Sequence, residues 1–140
     1  MSMMKRHLRR YLDAYMHLSV QLHLTPSFQT PNHSRDGDLS YNRLTGKIPF
    51  NIGFLQVVTL SLQGNQLSEQ IPSVIGLMQA LAVLDLSCNM LTGPIPPILG
   101  NFTYMEKLYL HGNKLTGQIP PELGNMSKLH YFLWDLLHGE

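Results

Sequence analysis

From Asp38 onward, apolar and polar residues alternate in short bursts that return at a fixed interval. The bursts are Leu60-x-Leu62, Leu84-x-Leu86 and Leu108-x-Leu110, with Leu39 standing alone in the first. Such alternation puts the leucines on one face of a short strand and the residues between them on the other. Behind the bursts stand Asn42, Asn65, Asn89 and Asn113, at spacings of 23, 24 and 24 residues. A period of this size predicts a solenoid in which each repeat buries its apolar face only by stacking on its neighbours. The fold class read from the pattern is an α/β solenoid, with short parallel strands on the concave face and loops with short helical turns outside.

The rest of each repeat can be read residue by residue. The asparagine is expected to turn its amide inward, because a buried bend leaves backbone donors and acceptors that need partners. A second apolar anchor follows at Leu44, Leu67, Leu91 and Leu115, and then Gly-x-Ile-Pro at Gly46, Gly93 and Gly117. Glycine permits a tight bend, and proline suits an extended stretch that donates no backbone hydrogen bond. The pairs Ile52-Gly53, Ile75-Gly76, Leu99-Gly100 and Leu123-Gly124 predict a helical turn that ends at the glycine. In the second repeat Glu69-Gln70 replaces Gly-x, which predicts an altered bend there.

The periodic part has defined limits. Residues 1–35 lie outside it; Met3, Met4, Leu8, Tyr11, Leu12, Tyr15 and Met16 are spaced as in a short amphipathic helix, and Pro26 to Arg35 reads as a linker. Asp13, His17, Gln21 and His23 break what would be the apolar core of a secretion signal. Residues 36–131 hold four repeats of about 24 residues. In 132–140 the pattern fails, because the place of the next asparagine falls on Leu137, although Leu129, Phe132 and Trp134 keep the apolar strand positions. A fifth repeat is begun and not completed. Neither end carries a polar cap, so apolar edges and a tendency to aggregate are expected.

Composition removes several function classes. The 140 residues carry 44% hydrophobic and 14% charged residues with a net charge of +1, so nothing in the charge balance points to nucleic acid. No run of about 20 apolar residues could span a membrane. Cys88 is the sole cysteine, which excludes an internal disulfide, and a buried or half-buried thiol is the expectation for it. The seven histidines lack paired ligand spacing, no close carboxylate pair occurs and no cofactor motif is present, so neither metal, cofactor nor catalytic residue is assigned.

What remains is recognition. With the leucines inward, the outward strand positions form a stripe: Asp38 and Ser40; Thr59, Ser61 and Gln63; Val83, Asp85 and Ser87; Lys107, Tyr109 and His111. Hydroxyls, carboxylates and an aromatic on a concave sheet suit a peptide or protein partner, and Ser61, Gln63, Asp85, Ser87, Lys107, Tyr109 and His111 are the candidate contacts. Asn32, Asn101 and Asn125 each begin an Asn-x-Ser/Thr triplet, the last two 24 residues apart at matching places, and are candidate N-glycosylation sites on the outer face.

The pattern Leu-x-x-Leu-x-Leu-x-x-Asn-x-Leu-x-Gly-x-Ile-Pro at residues 81–96, and at 105–120 with Met105 in the first place, resembles the plant-specific leucine-rich repeat. Ile52 to Ser68, Ile71 to Ser87 and Glu106 to His111 are similar to the ectodomain of the ERECTA receptor kinases, within a resemblance that covers residues 38–131. The resemblance implies a plasma-membrane receptor with its repeats outside the cell, cysteine-paired caps, one membrane helix and a serine/threonine kinase inside. It implies a role in perceiving small secreted cysteine-rich peptides, together with other leucine-rich-repeat receptors, in organ growth and stomatal patterning. The cap cysteines and every kinase motif are missing from these 140 residues, so the chain is expected to be a non-enzymatic piece of such an ectodomain. Two other readings stay open at this point: an intracellular repeat scaffold, and a non-functional fragment.

Overall fold

The computed structural model describes residues 36–135. The leader, Asn32 and the tail beyond Asp135 lie outside the described residues, and with them the expected amphipathic helix. A parallel sheet is built from β1 (Asp36–Asp38), β3 (Thr59–Ser61), β5 (Val83–Asp85), β7 (Lys107–Tyr109) and β9 (Tyr131–Leu133), in that order. Leu60 lies beside Leu84 and Leu84 beside Leu108, so equivalent residues of successive repeats form rows across the sheet.

Each strand is centred on the first leucine of its burst. The second leucine lies just past the strand, yet its N–H continues the ladder: Leu62 donates to the Asp85 carbonyl at 2.8 Å and Leu86 to the Tyr109 carbonyl at 2.9 Å. Both leucines are fully buried in all three complete bursts, as the alternation predicts. In the first repeat Gly37 takes the place opposite Leu60, so the strand forms although its leucine is missing. At the other end Phe132 lies beside Leu108, and β9 straddles the boundary expected at residue 131. The Phe132 and Trp134 rings stack at 6.5 Å and pack against the core in place of the next leucine pair.

A second set of strands was not expected from the sequence. It consists of β2 (Thr45–Lys47), β4 (Gln66–Ser68), β6 (Thr92–Pro94) and β8 (Lys114–Thr116), paired β2 with β4 and β6 with β8, with a single bridge from Gln70 to Thr92 between the pairs. The glycines of Gly-x-Ile-Pro lie in or next to these strands with φ of 80°, 77° and 80° at Gly46, Gly93 and Gly117. Glu69, at the matching place, has φ 67°. The bend expected to be altered is therefore kept, and a residue with a Cβ is held in the left-handed region, at a cost of about 1–2 kcal/mol.

Four 3-10 turns, Phe50–Phe54, Ser73–Leu77, Pro97–Asn101 and Pro121–Asn125, complete the outer side among the described residues. Their glycines do not end the turns as left-handed caps; each is the fourth residue of five. Close approach explains two of them. A Cβ on Gly53 would lie 2.7 Å from the Val74 carbonyl oxygen, and one on Gly100 would lie 2.2 Å from that of Glu122. The glycine lets one turn sit on the backbone of the next.

The asparagines behave as the buried bend requires. The Asn89 amide nitrogen donates to the carbonyls of Leu62, Leu86 and Ser87 at 2.9–3.2 Å, while its oxygen accepts the Leu67 N–H at 3.0 Å. Asn65 and Asn113 repeat this arrangement, each bonded to its own turn and to the preceding one. Asn42 begins the series, and its Oδ1 is buried without a hydrogen-bond partner among the described residues.

Candidate functional site

The inner sheet face carries one outward residue per strand in each row. Thr59, Val83, Lys107 and Tyr131 form one row and Ser61, Asp85, Tyr109 and Leu133 the next. Of the expected contacts, Lys107 is exposed, and Ser61, Gln63, Asp85, Tyr109 and His111 are half-buried on this face.

Ser87 has to be withdrawn as a contact, because it is fully buried. Its hydroxyl donates to Asp85 Oδ1 at 2.5 Å and its N–H donates to the same oxygen at 3.0 Å. Ser40 is buried in the same way against Asp38, with its hydroxyl 2.6 Å from Oδ1. Both lie in Asp-Leu-Ser, where the short hydroxyl side chain reaches the carboxylate two residues back instead of solvent. Cys88 is also corrected, in the opposite sense: it is exposed, with φ 58° in the turn before Asn89.

The aromatic end of the face is richer than expected. Tyr109 contacts Tyr131 at 5.3 Å between ring centroids and His111 at 6.3 Å. Tyr131 is 45% exposed and Leu133 39%, so β9 extends the platform by two large side chains beside Lys107. Counting one period from Lys107 and Tyr109 reaches Tyr131 and Leu133, a signal obscured by the loss of the fifth asparagine. His111 Nδ1 is buried with no hydrogen-bond partner among the described residues. Asp85 lies beside Tyr109 in the register, so the face changes from carboxylate to aromatic and ammonium between β5 and β7.

A groove of about 450 Å³ runs past the leading ends of the strands, lined by Val58, Ala80, Ala82, Tyr104, Glu106 and Lys128. The Lys128 ammonium sits 4.9 Å above the Tyr104 ring. Nothing in the repeat pattern announces this groove, because it depends on the small side chains of Ala80 and Ala82. Among the described residues no cluster of His, Cys, Asp or Glu could hold a metal ion, and no helix is long and apolar enough to cross a membrane.

This geometry agrees with the similarities to known proteins. The leucine-rich-repeat family model matches residues 38–55, 56–78, 80–102 and 104–126. A 38-residue stretch is 84% identical to the LRR receptor-like serine/threonine-protein kinase ER2 of Oryza sativa subsp. japonica, covering 27% of this chain and 4% of that protein. The Arabidopsis receptor kinase HAESA, solved with the peptide hormone IDA and the co-receptor SERK1, superposes with a TM-score of 0.68 at 42% identity, over 73% of this chain and 18% of HAESA's. The BIR2 ectodomain from Arabidopsis thaliana gives a TM-score of 0.69 at 28% identity, over 89% of this chain and 75% of its own. This chain therefore spans only a small part of the receptor kinases it matches, and it belongs to the leucine-rich-repeat family in the form found in plant receptor-kinase ectodomains.

Proposed function

We propose that the repeats form a peptide- and protein-recognition module of an ERECTA-type receptor, held on the extracellular side of the plasma membrane. Its inner sheet face receives a secreted cysteine-rich peptide or the flank of a second leucine-rich-repeat receptor. The observation that carries this reading is the platform of exposed Lys107 and Tyr131 around half-buried Tyr109 on that face. Tyrosines are among the side chains that such interfaces enrich at their centres, with charged groups such as Lys107 at the rim. The identity to ER2 supports the ERECTA-type assignment, and the peptide bound in the HAESA structure supports the ligand class.

The dimensions suit an extended segment. Five strands about 4.8 Å apart span roughly 19 Å, the reach of about six residues of extended peptide. A face this short supplies part of an interface, so micromolar or weaker affinity is expected. Calorimetric titration of the full chain with secreted cysteine-rich peptides tests the reading. The expected result is weak binding that Tyr109→Ala reduces about tenfold, the size of a single aromatic contact. Absence of heat with every such peptide, or binding indifferent to Tyr109→Ala, would overturn it.

A further inference from the structure

We propose that residues 18–25 of the leader dock on the near end of the solenoid as an added strand, with their apolar side chains on the first repeat and their polar ones in water. The first repeat has the burial of a covered turn. β1 stands first in the sheet order, and no described element precedes it. Leu39, Leu44 and Ile48 are nevertheless at most 2% exposed, and Gly37, where the leucine of the strand is missing, is buried as well. The far end shows what an uncovered turn looks like. Ile119 holds the place of Ile48 in the Ile-Pro segment and is 38% exposed.

Asn42 makes the same point with a polar atom. In the later repeats the asparagine oxygen accepts an N–H from the preceding turn, Asn65 from Leu44, Asn89 from Leu67 and Asn113 from Leu91. Asn42 grips its own turn as they do, donating from its amide nitrogen to the Leu39 and Ser40 carbonyls at 2.9 and 3.2 Å. Its oxygen is thereby turned towards the place of a preceding turn, where a bare end would leave it in water. It is instead buried, with no partner among the described residues. A covered acceptor of this kind marks where a backbone donor belongs.

The sequence supplies one segment of matching chemistry. Leu18-Ser19-Val20-Gln21-Leu22-His23-Leu24-Thr25 alternates apolar and polar residues without a break and contains no Asp, Glu, Lys or Arg. Such alternation is the pattern of a strand buried on one face. Residues 26–35 join it to β1, and ten residues reach up to about 33 Å, enough to cross the coil. Ser19, Gln21, His23 and Thr25 then give the first turn the polar outer side that a terminal turn of a solenoid requires and that the repeats themselves lack. A second copy of the chain is the competing occupant, but the tethered segment is present at roughly millimolar effective concentration whatever the dilution.

Hydrogen exchange of the full chain, read by mass spectrometry at several protein concentrations, tests the docking. Residues 18–25 are expected to exchange at least about tenfold more slowly than a free peptide of the same sequence, equally at every concentration. Val20→Asp with Leu22→Asp is expected to remove this protection and to speed exchange in Asp36–Asp38 while Lys107–Tyr109 stays slow. Ser19→Asp with Gln21→Asp adds the same charge at the alternate positions and is expected to leave both segments protected. If the Val20 and Leu22 pair unfolds the whole chain, Val20→Ala with Leu22→Ala gives the milder form of the same comparison. Peptide-like exchange at residues 18–25 while the repeats remain slow, protection that appears only as concentration rises, or equal effects of the two aspartate pairs would each overturn the proposal.

Discussion

Gly100 and Gly124 occupy the same place in successive turns, each within Leu-Gly-Asn, and they differ in what lies above them. A Cβ at Gly100 meets the Glu122 carbonyl oxygen at 2.2 Å and its carbon at 2.7 Å, whereas one at Gly124 meets nothing within 4 Å among the described residues. A carbon and a carbonyl oxygen approach no closer than about 3.3 Å, so Gly100→Ala has to push the next turn away by about 1 Å. The obstructing atoms are backbone in a close-packed stack and cannot swing aside. Overpacking of this kind costs about 3 kcal/mol, reduced by less than about 1 kcal/mol for the entropy that alanine removes from the unfolded chain. Gly124→Ala gains that entropy with no clash and is expected to stabilise by about 0.5 kcal/mol. Urea titrations followed by circular dichroism, with a slope of about 1–2 kcal/mol/M for a domain of this size, are expected to show the Gly100→Ala midpoint about 1–2 M lower and the Gly124→Ala midpoint unchanged or slightly higher. Gly53→Ala, 2.7 Å from the Val74 carbonyl oxygen, is expected to fall near Gly100→Ala. Gly76→Ala is expected to be milder, because its nearest atom at 2.6 Å is the Ile98 Cγ1, in a side chain that can move. Equal midpoints for Gly100→Ala and Gly124→Ala would refute the stacking argument.

Other substitutions probe the remaining devices. Asn89→Ala strands the buried Leu67 N–H and the carbonyls its amide served, and is expected to cost about 3–5 kcal/mol in a urea titration; Asn42→Ala, with its oxygen unpartnered, should cost about 1 kcal/mol. Glu69→Gly is expected to raise stability by about 0.5–1 kcal/mol, the difference between the relieved left-handed strain and the entropy of glycine, measurable as a higher thermal midpoint. Ser87→Ala is expected to destabilise by about 1 kcal/mol while leaving peptide affinity unchanged in calorimetry, since its hydroxyl serves Asp85 and not solvent.

Much of the fold is legible in the leucines and asparagines because the period is set by burial: a leucine at the wrong place would face water. The asparagine ladder follows from the same logic, since a buried bend requires an amide with both donors and an acceptor. The second set of strands is not legible, because each is only three residues long and two of them, Thr45–Lys47 and Thr92–Pro94, contain glycine or proline; only the stacking of neighbours pairs them. Glu69 misled for a related reason. The conformation of that bend is imposed by the repeats on either side, so the residue conforms at a cost instead of changing the bend. The site was readable as a face but not residue by residue. Alternation places Ser87 outward with Tyr109 and Lys107, yet a hydroxyl two residues from a carboxylate folds back onto it, a local competition that period-two patterning ignores. Tyr131 and Leu133 are not legible as face residues because Leu137 stands where the fifth asparagine would fix the register of their strand.

The most direct test of recognition on the inner face is a hydrogen-exchange footprint of the full chain with and without a bound cysteine-rich peptide. The account predicts slowed exchange in Lys107–Tyr109 and Tyr131–Leu133, with the outer turns Pro97–Asn101 and Pro121–Asn125 unchanged. Protection confined to those outer turns, with the inner strands unaffected, would contradict it.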